Sequence, residues 1–441
     1  MNSLSSYRLT KIKGSTHFSA IFSYQSFFIV HVVSFYVFLI GTYWASRKET
    51  LQMQVISRGS EWHRWEPHIH APGTVLNNQF GADDPWNSYL TTLEGLTPQI
   101  EAIAVTDYYV TDSYEAFLKH KAAGRLPGVS LLFPNIELRL DIAAKTGFVN
   151  VHLLVSPEDP DHLSEVKRIL KRLQFQAFND RFDCTREELI KLGKRADSNI
   201  TDDGAALRHG ATQFKVNFDQ LRRVISESEW AMKNILIAVA GSTGDGTSGV
   251  RQAADATVRQ EIEKFAHIIF TSSAAQRDFW IGQRGIGIEE LRSRYNGCKP
   301  CLHGSDSHEQ KTVGQPVDNR FSWVKGALEF DALRQACIDP EGRAYVGEQP
   351  PRSAMPSQVI SHVRIDDADW ATSPSIPLNP GLVAIIGARG SGKTALADII
   401  AAGCDAITPF GWSADENISP SFLARARRLI GDAKTTLTWG G

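Results

Sequence analysis

The chain has 441 residues, of which 42% are hydrophobic and 22% charged, with a formal net charge of -2. That length holds two or three domains with ample core, and the composition excludes a disordered or fibrous chain. The near-neutral balance excludes a global electrostatic pull toward nucleic acid, so any such contact must use local patches. Five cysteines in so long a chain do not make a disulfide framework and fit a reducing cytoplasm. Cys298 and Cys301 form a CxxC, but no second pair or HxxxH completes a zinc knuckle, so ordinary packing is expected there.

Residues 1–55 form a hydrophobic N-terminal extension, uncharged from Phe18 to Ala45 and long enough to cross a bilayer. Arg8, Lys11 and Lys13 precede that run and Arg47 and Lys48 follow it, so charge asymmetry hardly sets an orientation. Two readings stand: a membrane anchor through residues 18–45, or a start placed too far upstream, with Met53 the working one. The second is favoured. A span with its N-terminus inside would put the phosphate-binding motif described below in a compartment without ATP.

From residue 56 to 347, short β-like runs alternate with helical ones, the pattern of a largely parallel sheet or barrel. The runs "IEAIAVTDYY" (100–109), "VSLLFPNIELRL" (129–140), "VNVHLLVSP" (149–157) and "NILIAVA" (234–240) read as strands, and "HIIFTS" as another. "LSEVKRILKRL" and "ATVRQEIEKF" have helical spacing. In such folds chemistry sits at the C-terminal ends of the strands. There lie His68 and His70, Asp107, Glu137, His152, and then Asp306 with His308. An HxH or DxH on an extended segment presents two ligands to one face. Mixed imidazoles and carboxylates suit Zn²⁺, Mn²⁺ or Fe²⁺. A carboxylate such as Glu137 can bridge two ions about 3.5–4 Å apart, the arrangement that activates water against a phosphate ester.

Residues 348–375, rich in proline and serine, read as a linker with one strand-like run, "SQVISHVRI". From 376 to 441 comes "GLVAIIGARGSGKTALADIIA", an apolar strand, a G-x-x-x-x-G-K-T and a helix, which is a P-loop in its expected setting. Gly387, Gly390 and Gly392 let backbone N–H groups curl round phosphates, with Arg389 and Ser391 between them. Lys393 reaches the outer phosphates of ATP and Thr394 binds Mg²⁺. No hydrophobic strand ending in Asp-Glu follows before Gly441, so the expectation is the front part of a larger nucleotide-binding domain.

In order, "HIHAPGT", "AVTDYY", "NIELRL", "VHLLV" and "GSDSH" resemble the motifs of the PHP (polymerase and histidinol phosphatase) domain, over roughly residues 58 to 320. The resemblance implies a distorted (β/α)7 barrel with a phosphoesterase site. There His68 and His70 bind one metal, Glu137 bridges, His152 serves a second, and Asp306 with His308 close the site, with Glu137 and Asp107 the catalytic carboxylates. Asp107 is followed by Tyr108 where many members have histidine, and "AVAGSTGDGTSG" lacks a later histidine, so two divalent metals are expected. Together with the P-loop, which is of the ABC/SMC type, the chain resembles the TrlF-type PHP-ATPase family. That likeness implies a bacterial cytosolic phosphoesterase, nuclease-like, coupled to an ATP-binding module that dimerises in its full-length form. Nucleic acid is its implied partner, in DNA processing or phage and mobile-element defence. The alternatives are a small-molecule phosphatase of the histidinol-phosphatase type and a non-catalytic platform for a DNA-associated ATPase.

Overall fold

In the computed structural model the described residues are 58–81, 83–144, 147–241, 256–351, 354–368, 370–371, 375–406, 422–425 and 432–440, with the backbone of 10–12 and 15–18. The apolar run 18–45 and most of the glycine-rich loop after Ala240 therefore lie outside them. Among the described residues no helix is long and apolar enough to cross a membrane. The chain divides into two compact units, residues 60–351 and a second drawn from residues before 60 and after 351.

The larger unit is built on nine strands. These are β1 (Glu61–Ile69), β2 (Ala102–Tyr108), β3 (Leu131–Ala144), β4 (Gly147–Val155), β5 (Ile235–Ala240), β6 (Ile268–Phe270), β7 (Cys301–Leu302), β8 (Phe321–Gly326) and β9 (Ala344–Gly347). They form one sheet in the order β7-β6-β5-β4-β3-β2-β1-β8-β9. The pairs β1–β2, β2–β3, β5–β6 and β6–β7 are parallel. The pairs β3–β4, β4–β5, β1–β8 and β8–β9 are antiparallel. This departs from the seven-stranded, largely parallel barrel expected from the sequence. Only two residues of sequence separate β3 from β4, too few for a crossover, so that pair can only be antiparallel. β8 and β9 are short strands whose alternation the sequence pattern did not single out.

The sheet curls until its ends meet. Ser322 Oγ accepts from His303 N at 2.6 Å and donates to His303 O at 2.9 Å, so a buried hydroxyl stands in for ladder bonds between β8 and the end of β7. Inside the curl, Trp65, Ala104, Phe133, Leu154, Ala238 and Phe270 form a buried apolar floor, closed from below by Phe330 and Leu333. Outside, helices cover the sheet. The expected helix after β4 is His162–Lys171, which buries Val166, Ile169 and Leu170 on one stripe. Leu138 and Leu140 of β3 face that outer core, so Glu137 and Arg139 take the other face of the strand.

The helices Arg186–Ala196 and Asp203–Gln213 cross at Gly193 and Gly210. In the second unit, β10 (Ile360–Asp366) lies between β11 (Ser375–Pro377) and β12 (Lys434–Trp439), all antiparallel, with Ser15–Phe18 beside β12. The helix Lys393–Gly403 packs Leu396 against Val363 and Leu437 of this sheet.

The helix crossing gives a stability test. A Cβ at Gly193 would lie 1.9 Å from Ala206 O, and one at Gly210 1.8 Å from Leu189 O. Both distances are blocked by backbone, which cannot swing aside. Gly193→Ala and Gly210→Ala should each cost about 1–3 kcal/mol in urea unfolding. Gly81→Ala, where nothing lies within 4 Å of the new Cβ, should leave the midpoint almost unmoved.

Candidate metal centre

Four side chains from three places in the sequence converge above the apolar floor. His68 and His70 come from the end of β1, Glu137 from β3, and Asp306 from the loop after β7. His68 Nε2 lies 3.3 Å from His70 Nε2, 3.5 Å from Glu137 Oε2 and 3.1 Å from Asp306 Oδ1. His70 Nε2 lies 3.3 Å from Glu137 Oε2 and 3.5 Å from Asp306 Oδ1. Ligands about 2.0–2.1 Å from a tetrahedral ion are separated by about 3.3 Å, so these distances are those of a coordination shell. Among the described residues two groups bring potential ligand atoms within 4.8 Å of one another: His68 with His70 and Asp306, and His68 with Glu137 and His152.

The chemistry of the donors fits a cation. Among the described residues the buried Glu137 Oε2 has no donor in hydrogen-bonding geometry, only the two imidazole nitrogens facing it, and an unpaired carboxylate oxygen is costly to bury. Its other oxygen accepts from Asn150 Nδ2 at 2.5 Å. Burial would raise the Glu137 carboxyl, but the imidazoles of His68 and His70 hold it well below the usual carboxylate range. Burial would likewise lower His70, yet Asp306 and Glu137 outweigh it and lift the ring to about 9. Each group demands positive charge at one point, supplied by protons when no ion is there. His152 is pushed down to about 3, first by burial and then by His68, so its lone pair is available.

Surrounding groups fix the rings. His152 Nδ1 meets Asn135 Oδ1 at 3.1 Å, and Asn135 Nδ2 donates to Pro67 O and Thr106 Oγ1. With the amide nitrogen so committed, its oxygen must accept, which leaves the Nε2 lone pair of His152 able to meet a metal. His70 Nδ1 meets Thr74 Oγ1 at 3.1 Å, and Thr74 is held by Asp107 Oδ1 at 3.2 Å. Phe270 stacks on His68 with ring centres 5.6 Å apart, and Tyr108 on His70 at 5.0 Å.

Of the expected ligands, Asp107 and His308 belong to neither group of close ligand atoms. In the β2–β3 ladder Tyr108 stands opposite Glu137 and Asp107 opposite Ile136, so it is Tyr108 that shares the face of the cluster. The carboxylate of Asp107 accepts from Val75 N, Tyr108 N, Ser113 N and Ser113 Oγ. It supports His70 through Thr74 and belongs to neither ligand group. His308 stands at the rim, its ring stacked on His70 at 4.1 Å and its Nε2 3.6 Å from Asp306 Oδ1.

The sequence reading missed Glu66, Thr74, Asn135 and Asn150. Glu66 is buried, pushed up to about 7 by that burial, and accepts from Ser305 N at 2.8 Å. It thereby ties the loop of Asp306 to β1, as does Asp306 N donating to His68 O at 2.9 Å. Gly304 permits this approach, since a Cβ there would lie 2.5 Å from His68 O. Asp306 itself has a positive φ of 46°, an uncommon conformation for a residue other than glycine. The alternation of polar Asn135 and Glu137 with Ile136 and Leu138 was the available signal for Asn135.

In the second unit the residues of the expected P-loop form a turn over 388–392 that leads into the helix Lys393–Gly403. Gly390 and Gly392 have φ of 87° and 84°, and Lys393 Nζ folds back on Gly387 O and Ala388 O at 2.9 and 2.8 Å. Arg389 is exposed, as is Thr394, while Ser391 Oγ is buried without a partner. The preceding apolar run is not a strand, contrary to expectation: residues 382–387 pair with nothing, and Leu382 is 93% exposed. Parallel strands need neighbours to satisfy their backbone groups and cover their faces, and none among the described residues lies alongside.

His70 gives a pH test. Its pKa near 9 in the folded, metal-free protein lies above the ordinary 6.5. The stabilisation from its proton is therefore full below about 6.5 and lost as pH rises through about 9. Metal binding needs the neutral ring and displaces that proton. Zinc affinity, measured by chelator competition, should rise about tenfold per pH unit from pH 7 and level off near 9.

No family model matches the chain, and no curated protein matches it. Among solved structures, a protein from Bifidobacterium adolescentis, provisionally assigned as a metal-dependent phosphoesterase, is similar at 11% identity and a TM-score of 0.32. The match covers 62% of this chain and 96% of that one. An amidohydrolase from Chromobacterium violaceum, with bound sulfate and no metal, is similar at 13% identity and a TM-score of 0.31, over 64% of this chain and 98% of that one. Likeness at this level bears on neither chemistry nor substrate.

Proposed function

We propose that the larger unit is a metal-dependent phosphoesterase, nuclease-like in acting on phosphodiesters, and that the P-loop of the second unit binds ATP with Mg²⁺. The single observation that carries the first part is Glu137 Oε2, a buried carboxylate oxygen without a donor, faced by two imidazole nitrogens at 3.3 and 3.5 Å. His68, His70, Glu137 and Asp306 would hold one divalent ion, Mn²⁺, Zn²⁺ or Fe²⁺. Glu137 and His152 would hold a second. His68 Nε2 has one lone pair and is within reach of both places, so the second ion depends on fewer protein ligands and is the weaker.

Bound ions would supply electrophilic charge at phosphoryl oxygens and make a water more acidic. The chain's own part is positional. Asn135 and Thr74 hold two imidazoles in fixed tautomers, and Phe270 screens His68 from solvent. His308 stands at the rim with its ring partly exposed, where it can exchange a proton with a leaving group. For the second unit, support comes from Lys393. Its ammonium rests on two loop carbonyls at the place where a phosphate would lie, and it is free to swing to that ligand.

Glu137 should matter more than any one histidine, because it serves both ions. Glu137→Ala should abolish Mn²⁺-dependent hydrolysis of bis(p-nitrophenyl) phosphate with circular dichroism unchanged. His152→Ala should keep a residue of activity that excess metal restores. Near wild-type turnover by Glu137→Ala would place the activity elsewhere.

For the P-loop, equilibrium titration with a fluorescent ATP analogue should show Mg²⁺-dependent binding that Lys393→Ala removes. Equal binding by the variant would take ATP out of the proposal.

A further inference from the structure

Beyond the cluster, β3 carries a polar face further than the metal centre uses. Ile136, Leu138 and Leu140 are buried in the outer core, while Asn135, Glu137, Arg139 and Asp141 alternate with them. Asn135 orients His152 and Glu137 belongs to the cluster, but no role so far accounts for Arg139. Its guanidinium carbon lies 5.3 Å from the centre of the Tyr108 ring, in cation–π contact. That ring in turn stacks on His70. No carboxylate among the described residues pairs with Arg139. A half-buried guanidinium left without a counter-ion at the rim of a metal centre has the fork geometry that binds phosphoryl oxygens.

Two residues further on, Asp141 lines an open cavity of about 560 Å³, in the range of about 300–1,000 Å³ usual for small-ligand sites. At about 3.3 Å per residue it begins about 13 Å along the strand from Glu137. Its wall includes Phe175, Gln176, Lys215, Gln220 and Arg223. Lys215 is committed, since Nζ donates to the carbonyls of Thr212, Gln213 and Phe214. Burial, and after it Arg139, lowers Lys215 to about 8. The side chains of Gln176 and Arg223 have no partner among the described residues and are exposed in the cavity. An aromatic ring, a free amide and a free guanidinium are groups that meet a base plane and its hydrogen-bonding edge.

We propose that this face of β3 is a nucleotide track, in which Arg139 clamps the phosphoryl group presented to the metal centre and the cavity beyond Asp141 receives the attached nucleoside, with Gln176 and Arg223 at the edge of its base. The proposal rests on the phosphoesterase reading of the metal centre and adds the substrate class.

The test compares two diesters with the same leaving group, thymidine 5′-(p-nitrophenyl) phosphate and bis(p-nitrophenyl) phosphate, on the full chain loaded with Mn²⁺. The nucleoside ester should have a kcat/KM at least about tenfold higher, and the double variant Gln176→Ala, Arg223→Glu should reduce that ratio about tenfold. Arg139→Ala should raise KM for both esters about tenfold or more at unchanged metal content, with partial rescue by Arg139→Lys. Equal turnover of the two esters by the wild type, an unchanged ratio in the double variant, or a wild-type KM in Arg139→Ala would each overturn the track. Should neither ester be hydrolysed, the phosphoesterase reading falls by itself, and calorimetric titration decides the track. Thymidine 5′-monophosphate should bind the Mn²⁺-loaded chain at least about tenfold tighter than inorganic phosphate, and the double variant should lose that margin. Equal affinities, or no binding of either, would overturn it.

Discussion

The carboxylate of Glu137 is taken out of water and given one hydrogen bond, from Asn150, while its second oxygen is left facing His68 and His70. A buried anion in that state is expensive unless positive charge sits beside it. The site answers with imidazoles, and with Asp306 opposite it draws His70 up to about 9. A proton on His70 is a partial solution, because its Nε2 faces two carboxylate oxygens, of Glu137 and Asp306, and can donate fully to only one. A divalent ion would take up lone pairs from rings and carboxylates together, which is why the arrangement reads as a candidate ligand set and not as a salt-bridge network.

Holding that shell together is work shared by three segments remote in sequence. β1 supplies the two histidines and is bent where Pro67 interrupts its register with β2, between Glu66 and Ile69. Proline lacks an N–H, so an irregularity of the ladder is a place where it costs little. Asn135 reaches across from β3 to Pro67 O and at the same time sets the tautomer of His152 on β4. The loop after β7 is pulled onto β1 by Glu66 and by the absence of a side chain at Gly304. A change at any of these contacts would move a ligand without removing it.

The second unit follows a different logic. Its antiparallel sheet and the helix Lys393–Gly403 bury a small apolar layer of Val363, Ile365, Leu396 and Leu437. The segment before the P-loop stays exposed at Leu382, Val383 and Ile386. The turn itself is nonetheless shaped, since Gly390 and Gly392 take the left-handed conformation that other residues resist, and this depends on local chemistry alone.

Much of the site was legible because its parts are periodic. The HxH of His68 and His70 sets two imidazoles at the end of one strand, and the alternation through "NIELRL" puts Glu137 on the face opposite Leu138. The DxH of Asp306 and His308 lies instead in a loop where Asp306 has a positive φ, so alternation does not set its geometry. Runs of apolar residues located β2 to β6, and the stripe of Val166, Ile169 and Leu170 located its helix. What the sequence did not decide was parity and closure. Whether Asp107 or Tyr108 faces the cluster depends on the register of β2 against β3, and a shift of one residue exchanges them. The addition of β8 and β9, and the closing of the sheet by the Ser322 hydroxyl, depend on contacts between segments that carry no mark of each other. Local periodicity reflects the geometry of one strand or helix at a time. The orphaned oxygen of Glu137, the partners of His70 and His152, and the free Arg139 exist only once those elements are brought together in space.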